Sequence, residues 1–284
     1  MAGQNPTVRQ RELGRRLRDL REERNLAIYD VADMLMVSAT KISRLETGTR
    51  PPNLRDVRDL CRHYGLDEAS TGELLSLARG AREQVWWSQY EDLKLDPYLG
   101  LEDEAIAITS YTTYYPPALL QTEEYTKEII KIVAPKMDPD IYEQRVEARM
   151  RRQQVLEKEK PPRYRVLLDE SVLHRRVGRP EIMLDQIEKI LGAAREGKAT
   201  IQVIPFGSNA AAAQDSNFVY LEFDSASAIS PVVFVEGLTG NQYLERKAEV
   251  GRYREAIELL RDSALSPSDS ILRIAELRKA HGGS

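Results

Sequence analysis

Val31-Ala32-Asp33-Met34-Leu35-Met36-Val37-Ser38-Ala39-Thr40-Lys41-Ile42-Ser43-Arg44-Leu45-Glu46-Thr47-Gly48-Thr49-Arg50-Pro51-Pro52 carries two short helical signals separated by a tight break at Met36-Val37. Val31, Ala32 and Leu35 recur at helical spacing and place a helix over residues 28–36. Ser38 suits an N-cap, because its hydroxyl can accept a hydrogen bond from an otherwise unpaired N–H of the first turn. It therefore opens a second helix over Ala39–Glu46, with Ile42 and Leu45 turned inward and Gly48 as its stop. Upstream, Leu13, Leu17 and Leu20 fall on one face of a helix over residues 9–24. Downstream, Asn53 caps a helix whose buried stripe is Leu54, Val57, Leu60, Cys61 and Tyr64. Ser70 with Glu73 reads as a capping box opening a fifth helix that ends at Gly80.

Five short helices with a tight turn between the second and third predict an all-α helix-turn-helix domain over residues 1–80. The quoted stretch resembles the XRE (lambda-repressor-like) DNA-binding group, and the match runs from about Arg9 to Gly80. That resemblance implies that the Ala39–Glu46 helix enters a major groove. Its exposed positions Ala39, Thr40, Ser43 and Arg44 would then reach base edges. Lys41 and Arg50 read as phosphate contacts, which set register and carry no sequence information, with Arg15 and Arg16 as further candidates. Ala27 and Ile28 stand where the group often has Ser/Thr followed by Gln, so that polar clamp lapses and Tyr29 is the substitute phosphate candidate. Arg9, Arg11, Arg18 and Arg21 read as solvated surface, Cys61 as core, and Glu46 as the partner of an internal basic group.

The chain has 284 residues, enough for two domains, with 42% hydrophobic and 30% charged residues. Neither disorder nor a collagen-like repeat fits that composition. No apolar run approaches the length of a membrane span, and residues 1–16 lack the apolar core of a secretory signal. A single cysteine excludes an intrachain disulfide framework and a multi-cysteine zinc site. A cytoplasmic protein with no membrane partner is the expectation. The net charge of −4 conceals an asymmetry: residues 1–62 hold 13 Lys+Arg against 9 Asp+Glu, and the remainder carries −8. A basic module on an acidic body suits double-stranded DNA as partner of the first and another kind of ligand for the second.

Residues 81–100 read as a helical connector in which Trp86, Tyr90 and Leu93 bury one face and Trp87 stays at the edge. It packs either on the second domain or across a dimer seam. Residues 101–284 mix periods. Helices are predicted at 125–133, 139–159, 169–176, 180–196, 242–263 and 268–279, and β-like runs at 164–168, 200–204, 218–223 and 232–235. Helices around three or four strands predict an α+β regulatory or partner-binding domain, so the whole is a mixed, two-domain fold.

Tyr115-Pro116-Pro117-Ala118-Leu119-Leu120-Gln121-Thr122-Glu123-Glu124-Tyr125, Arg149–Gln153, Leu168-Asp169-Glu170-Ser171-Val172-Leu173, Val203-Ile204-Pro205-Phe206 and Ala264-Leu265-Ser266 resemble the carboxy-terminal domain of unknown function of many actinobacterial XRE-type regulators, the WhiJ-like, antitoxin-like group. The group more often has Pro-Gly where this chain has Pro117-Ala118, and a glycine near Asp215-Ser216. The resemblance implies transcription regulation, and a small partner protein encoded nearby.

The residues nominate no catalytic site, metal site or cofactor. Of His63, His174 and His281, only His174 has an acidic neighbour on its helix face, Glu170, and no spacing supplies a third metal ligand. There is no nucleophile elbow and no phosphate-cradling glycine loop. Tyr111, Tyr114, Tyr115, Gln121 and Phe206 are the ligand or partner candidates, since aromatic walls with a few polar groups suit a small-molecule site. The expectation is a homodimeric, sequence-specific, non-enzymatic DNA-binding regulator whose second domain senses a ligand or binds a partner protein. The alternative is an adaptor or antitoxin-like inhibitor with secondary DNA binding.

Overall fold

The computed structural model describes residues 8–82, 86–90, 96–208, 217–224, 230–237 and 240–282. Leu93, Leu95, Asp215 and Ser216 lie outside them, as does the side chain of His281. The chain forms two compact units, residues 1–104 with 224–229, and 105–223 with 230–284.

The first unit contains helices α1 (Val8–Glu23), α2 (Ile28–Met34), α3 (Ala39–Glu46), α4 (Leu54–His63), α5 (Glu68–Gly80) and α6 (Asp96–Glu104), with a 3-10 turn at Trp86–Gln89. Its core gathers Leu13, Leu17, Val31, Ala32, Ile42, Leu45, Val57, Leu60, Cys61, Tyr64, Leu74 and Ala78. Ser38 caps α3 by accepting from the Lys41 N–H at 3.2 Å, and Asn53 caps α4 by accepting from the Arg55 N–H at 2.9 Å. At α2, Ala27 has no capping side chain. Instead its own N–H donates to Asp30 Oδ2 at 2.7 Å.

Several readings change. Helix α5 starts two residues before Ser70, with Asp67 as its cap accepting from the Ser70 N–H at 2.7 Å, so the Ser70/Glu73 box is not used. Helix α2 ends at Met34, because Met36 takes a left-handed φ of 52° to make the turn into α3. Met36 is also 93% exposed, so nothing in its side chain offsets that backbone strain. Met36→Gly is expected to raise the unfolding free energy by about 0.5–1 kcal/mol, visible as a higher melting temperature in calorimetry. The connector is not one continuous helix. Trp87 and Tyr90 are buried while Trp86 is the half-buried ring, and Trp87 lies beside Gly100 and Val8 of this same unit. Arg9, read as solvated, pairs with Glu104 at 2.7 Å.

The second unit is built on a six-stranded mixed sheet of order β3-β2-β1-β4-β5-β6. The strands are β1 (Ala107–Thr112), β2 (Arg163–Asp169), β3 (Thr200–Ile204), β4 (Phe218–Glu222), β5 (Val232–Val235) and β6 (Gln242–Leu244). Strands β1, β2 and β3 are parallel, and β4, β5 and β6 continue antiparallel from the other side of β1. Helices α7 (Glu123–Val133) and α8 (Pro139–Arg152) cross from β1 to β2; α9 (Ser171–His174) and α10 (Pro180–Arg195) cross from β2 to β3. Such crossovers are what parallel strands require. Helix α11 (Lys247–Ser263) supplies Val250, Ile257 and Leu260 to a core with Tyr111, Leu167, Ile204, Phe218, Tyr220 and Val233. Helix α12 (Pro267–Gly282) closes the β3 edge: Ser270 Oγ accepts from the Val203 N–H at 2.9 Å, and the Leu265 N–H reaches the Val203 carbonyl at 2.8 Å.

The α+β reading stands, with six strands rather than three or four. Residues 107–112, which form the strand joining the parallel and antiparallel halves, carried no strand signal, and residues 242–244 form a strand where a helix was predicted. The topology brings the carboxyl ends of β1, β2 and β3 together with the amino end of β4, since Tyr111 pairs with Phe218 and Leu167, and Asp169 with Ile204.

Candidate DNA-reading surface and strand-end cluster

Helix α3 turns Ile42 and Leu45 into the core and leaves Thr40 and Arg44 exposed, with Ser43 half-buried. Ala39 is also half-buried and packs against the core cluster, which restricts its reach to a methyl contact. The helix is closed at its C-terminus by Thr47, whose hydroxyl donates to the Ser43 carbonyl at 2.9 Å, and by Gly48 at φ 71°. Tyr29 is 74% exposed at the start of α2, and Arg15 and Arg50 are exposed. Two of the phosphate candidates are engaged inside the domain. Lys41 Nζ meets Asp56 Oδ2 at 2.6 Å, and Arg16 bridges Glu12 at 3.0 Å and Glu73 at 3.6 Å.

What holds α3 at its angle is a buried ion pair. Glu46 accepts from Arg21 Nε at 2.7 Å and from its second guanidinium nitrogen at 2.9 Å, while the third nitrogen donates to the Leu26 carbonyl at 2.9 Å. Arg21, read as solvated surface, is 8% exposed. The signal was present: Arg21 lies four residues after Leu17, on the same helical face as the leucine stripe. Glu46 pairs internally, as expected from the sequence.

In the second unit the predicted aromatic candidates separate into two groups. Gln121 is structural. Its amide donates to the Pro116 carbonyl at 2.7 Å and accepts from Thr126 Oγ1 and Arg149, each at 3.1 Å. Around it, Gln153 donates to the carbonyls of Ala118 and Gln121, Gln186 joins the Leu120 carbonyl to the Thr122 N–H, and Lys189 donates to the Gln121 carbonyl and Gln153 Oε1. The Pro-Ala-Leu-Leu-Gln-Thr segment is thus an irregular turn whose backbone polar groups are satisfied by side chains from α10 and the turn after α8, as buried backbone must be. Burial, and secondarily Lys198, lowers the pKa of Lys189. Tyr115 is half-buried beside this turn, and its carbonyl accepts the Thr112 hydroxyl.

Tyr111, Tyr114 and Phe206 instead belong to the strand-end region. There the loops are tied together: Ser171 Oγ donates to the Thr113 carbonyl at 2.9 Å, Asn217 Oδ1 accepts from the Thr113 N–H and hydroxyl, and the Phe206 N–H donates to Glu170 Oε2 at 3.1 Å. Glu170 is 2% exposed and also accepts from Arg273 of α12 at 2.5 Å, with His174 at 3.4 Å. The sequence pairing of Glu170 with His174 is therefore real but secondary to Arg273. Burial opposes the charged form of Glu170, yet Arg273, the Phe206 N–H and His174 together hold its carboxyl below the ordinary glutamate value of 4.5. A depressed carboxyl contributes stability that is present above 4.5 and is lost as pH falls through the lower folded value. Glu170→Gln is expected to cost about 1.5–3 kcal/mol at neutral pH, with the gap from wild type closing on acidification in thermal melts. Among the described residues, no group of three or more His, Cys, Asp or Glu is placed to hold a metal, and no helix is long and apolar enough to cross a membrane.

A five-helix module whose capped third helix presents Thr40 and Arg44 outward, followed by a separate α+β unit, defines the class: an XRE-type helix-turn-helix regulator with an appended carboxy-terminal domain. A family model described as a helix-turn-helix domain matches residues 12–74, and one described as a domain of unknown function (DUF5753) matches residues 95–276. The chain belongs to the DUF5753 family. Neither a curated protein nor a solved structure matches it.

Proposed function

We propose that this DNA-binding regulator reads a specific operator through Thr40, Ser43 and Arg44, with Ala39 restricted to a thymine methyl, and that its DUF5753 domain senses a ligand or binds a small partner protein. The observation that carries the reading is the exposure of Thr40 and Arg44 on a short, doubly capped helix anchored from behind by Arg21–Glu46. Arg44 can fork onto guanine, and Thr40 and Ser43 can donate or accept. Arg15, Arg50 and Tyr29 supply phosphate contacts; Lys41 and Arg16 contribute only as far as they are shared with their carboxylate partners. A single domain of this size spans few base pairs, so a homodimer on paired half-sites supplies the remaining affinity and specificity.

The test is selection of bound sequences from a random duplex pool, followed by affinity measurement at stated salt. Wild type is expected to enrich a two-fold related motif. Arg44→Ala is expected to lose about 1–3 kcal/mol of discrimination at one position of each half-site, whereas Arg50→Ala weakens all sequences alike and lowers the salt slope by about one. Failure to enrich any motif from the pool would overturn the reading.

A further inference from the structure

Helices α1, α2 and α4 end in the same turn. After α1 the Leu26 N–H donates to the Arg21 carbonyl and the Asn25 N–H to that of Glu22; after α4 the Leu66 N–H donates to Cys61 and the Gly65 N–H to Arg62. After α2 the Val37 N–H donates to the Ala32 carbonyl at 2.9 Å and the Met36 N–H to that of Asp33 at 3.1 Å. This pair of bonds needs a left-handed backbone two residues beyond the helix, which glycine and asparagine adopt at least cost. Asn25 at φ 53° and Gly65 at φ 67° meet that need. Met36 at φ 52° meets it with a Cβ that crowds the following carbonyl.

The fold does not call for a methionine there. Leu35 and Val37 on either side pack against the core cluster, and Met36 between them is turned out, 93% exposed. Single exposed apolar side chains are ordinary, but one held on a strained backbone with no packing in return needs a reason outside the folded domain. Its place narrows that reason. Ser38, two residues on, caps α3, so Met36 stands beside the helix end that bears Ala39 and Thr40. The backbone bonds of the turn and the cap hold it there. Methionine brings neither charge nor a strong hydrogen-bond donor, so it can neither grip a phosphate nor fork onto a purine. It offers a flexible, polarisable apolar chain. The apolar group that base edges present in a major groove is the thymine 5-methyl.

We propose that Met36 is a specificity-determining residue that packs on a thymine methyl beside the bases met by α3, adding a thymine preference to each half-site. The proposal rests on the reading of an operator through α3 and names a further residue of that surface.

The test uses the full chain and the operator enriched from the random pool. Each thymine of a half-site is replaced in turn by uracil, which lacks only the methyl. Wild type is expected to lose about fourfold in affinity at the position Met36 meets, the worth of one buried methyl group. Met36→Ala and Met36→Gly are expected to bind the thymine operator about fourfold more weakly and to be indifferent to uracil at that position. A uracil effect at any thymine met by Ala39 is expected to persist in both variants. Met36→Gly should also melt higher than wild type, so its weaker binding is not a loss of folding. Operator affinity of Met36→Gly and Met36→Ala equal to wild type would overturn the proposal, as would a uracil scan identical in wild type and both variants. Either result, with a motif still enriched by wild type, removes the Met36 contact alone. A wild type that enriches no motif removes the operator reading and this contact with it.

Discussion

Glu46→Ala is expected to weaken DNA binding by destabilising the first unit rather than by removing a DNA contact. The Glu46 side chain is 2% exposed and that of Arg21 10%, and the two are joined by a bidentate pair at 2.7 and 2.9 Å. Truncating the acid leaves a guanidinium that cannot lose its charge, buried with only the Leu26 carbonyl and a peripheral contact to Glu22. Orphaning one partner of a buried pair costs about 3–5 kcal/mol, a large share of the roughly 5–15 kcal/mol that stabilises a whole domain. Far-ultraviolet circular dichroism should show the loss of helical signal at lower temperature, with operator affinity falling in parallel. The double variant Arg21→Met/Glu46→Leu separates charge from shape. Removing both charges while keeping the volume is expected to recover most of the stability. If Glu46→Ala melted like wild type but failed to bind DNA, Glu46 would belong to the reading surface and the anchoring role would be wrong.

Gly14→Ala is the second large effect, and its sign is opposite to what helix propensity dictates. In an exposed helix interior the change favours the helix by about 1 kcal/mol. Here a Cβ on Gly14 would stand 2.4 Å from the Glu46 carbonyl oxygen and 2.8 Å from that of Leu45. Those atoms are backbone at the C-terminal end of α3, so no rotamer relieves the clash and the two helices must separate. A cost of about 3 kcal/mol is expected, with the melting temperature of the first unit dropping by roughly 4–8 °C for each kcal/mol. Gly72 of α5 is the internal control. It is exposed, nothing lies within 4 Å of its added Cβ, and Gly72→Ala is expected to stabilise by about 1 kcal/mol. On the proposed reading through α3, Gly14→Ala is expected to weaken operator binding by more than its stability loss alone explains.

The two glycines are indistinguishable in the sequence, and that marks where sequence reasoning ends. The hydrophobic stripes and caps of α1, α3 and α4 were legible because each is a local pattern: leucines on one face, Ser38 or Asn53 at the start, Gly48 at the stop. Local rules erred where two solutions competed, as at α5, where Asp67 caps ahead of Ser70. They failed at β1. All six residues of Ala-Ile-Thr-Ser-Tyr-Thr are buried, so no alternation of polar and apolar side chains marks the strand. Of its polar side chains, Ser110 meets the Tyr164 hydroxyl at 3.4 Å, fifty-four residues away, and Thr112 donates to the Tyr115 carbonyl.

The candidate sites divide the same way. That Thr40 and Arg44 lie outward was legible from spacing, because which face of a short helix is outward follows from which face is apolar. That Lys41 meets Asp56, that Gln121 braces a turn, and that Tyr111 is left without a partner follow from how the elements pack rather than from helical or strand spacing. The sequence by itself determined the helix-turn-helix module, its outward residues and the mixed class of the second domain, since periodicity and capping are nearest-neighbour chemistry. Tertiary structure alone decided which charges are buried, which glycine cannot change and which strand ends meet, because those depend on contacts that no local pattern encodes.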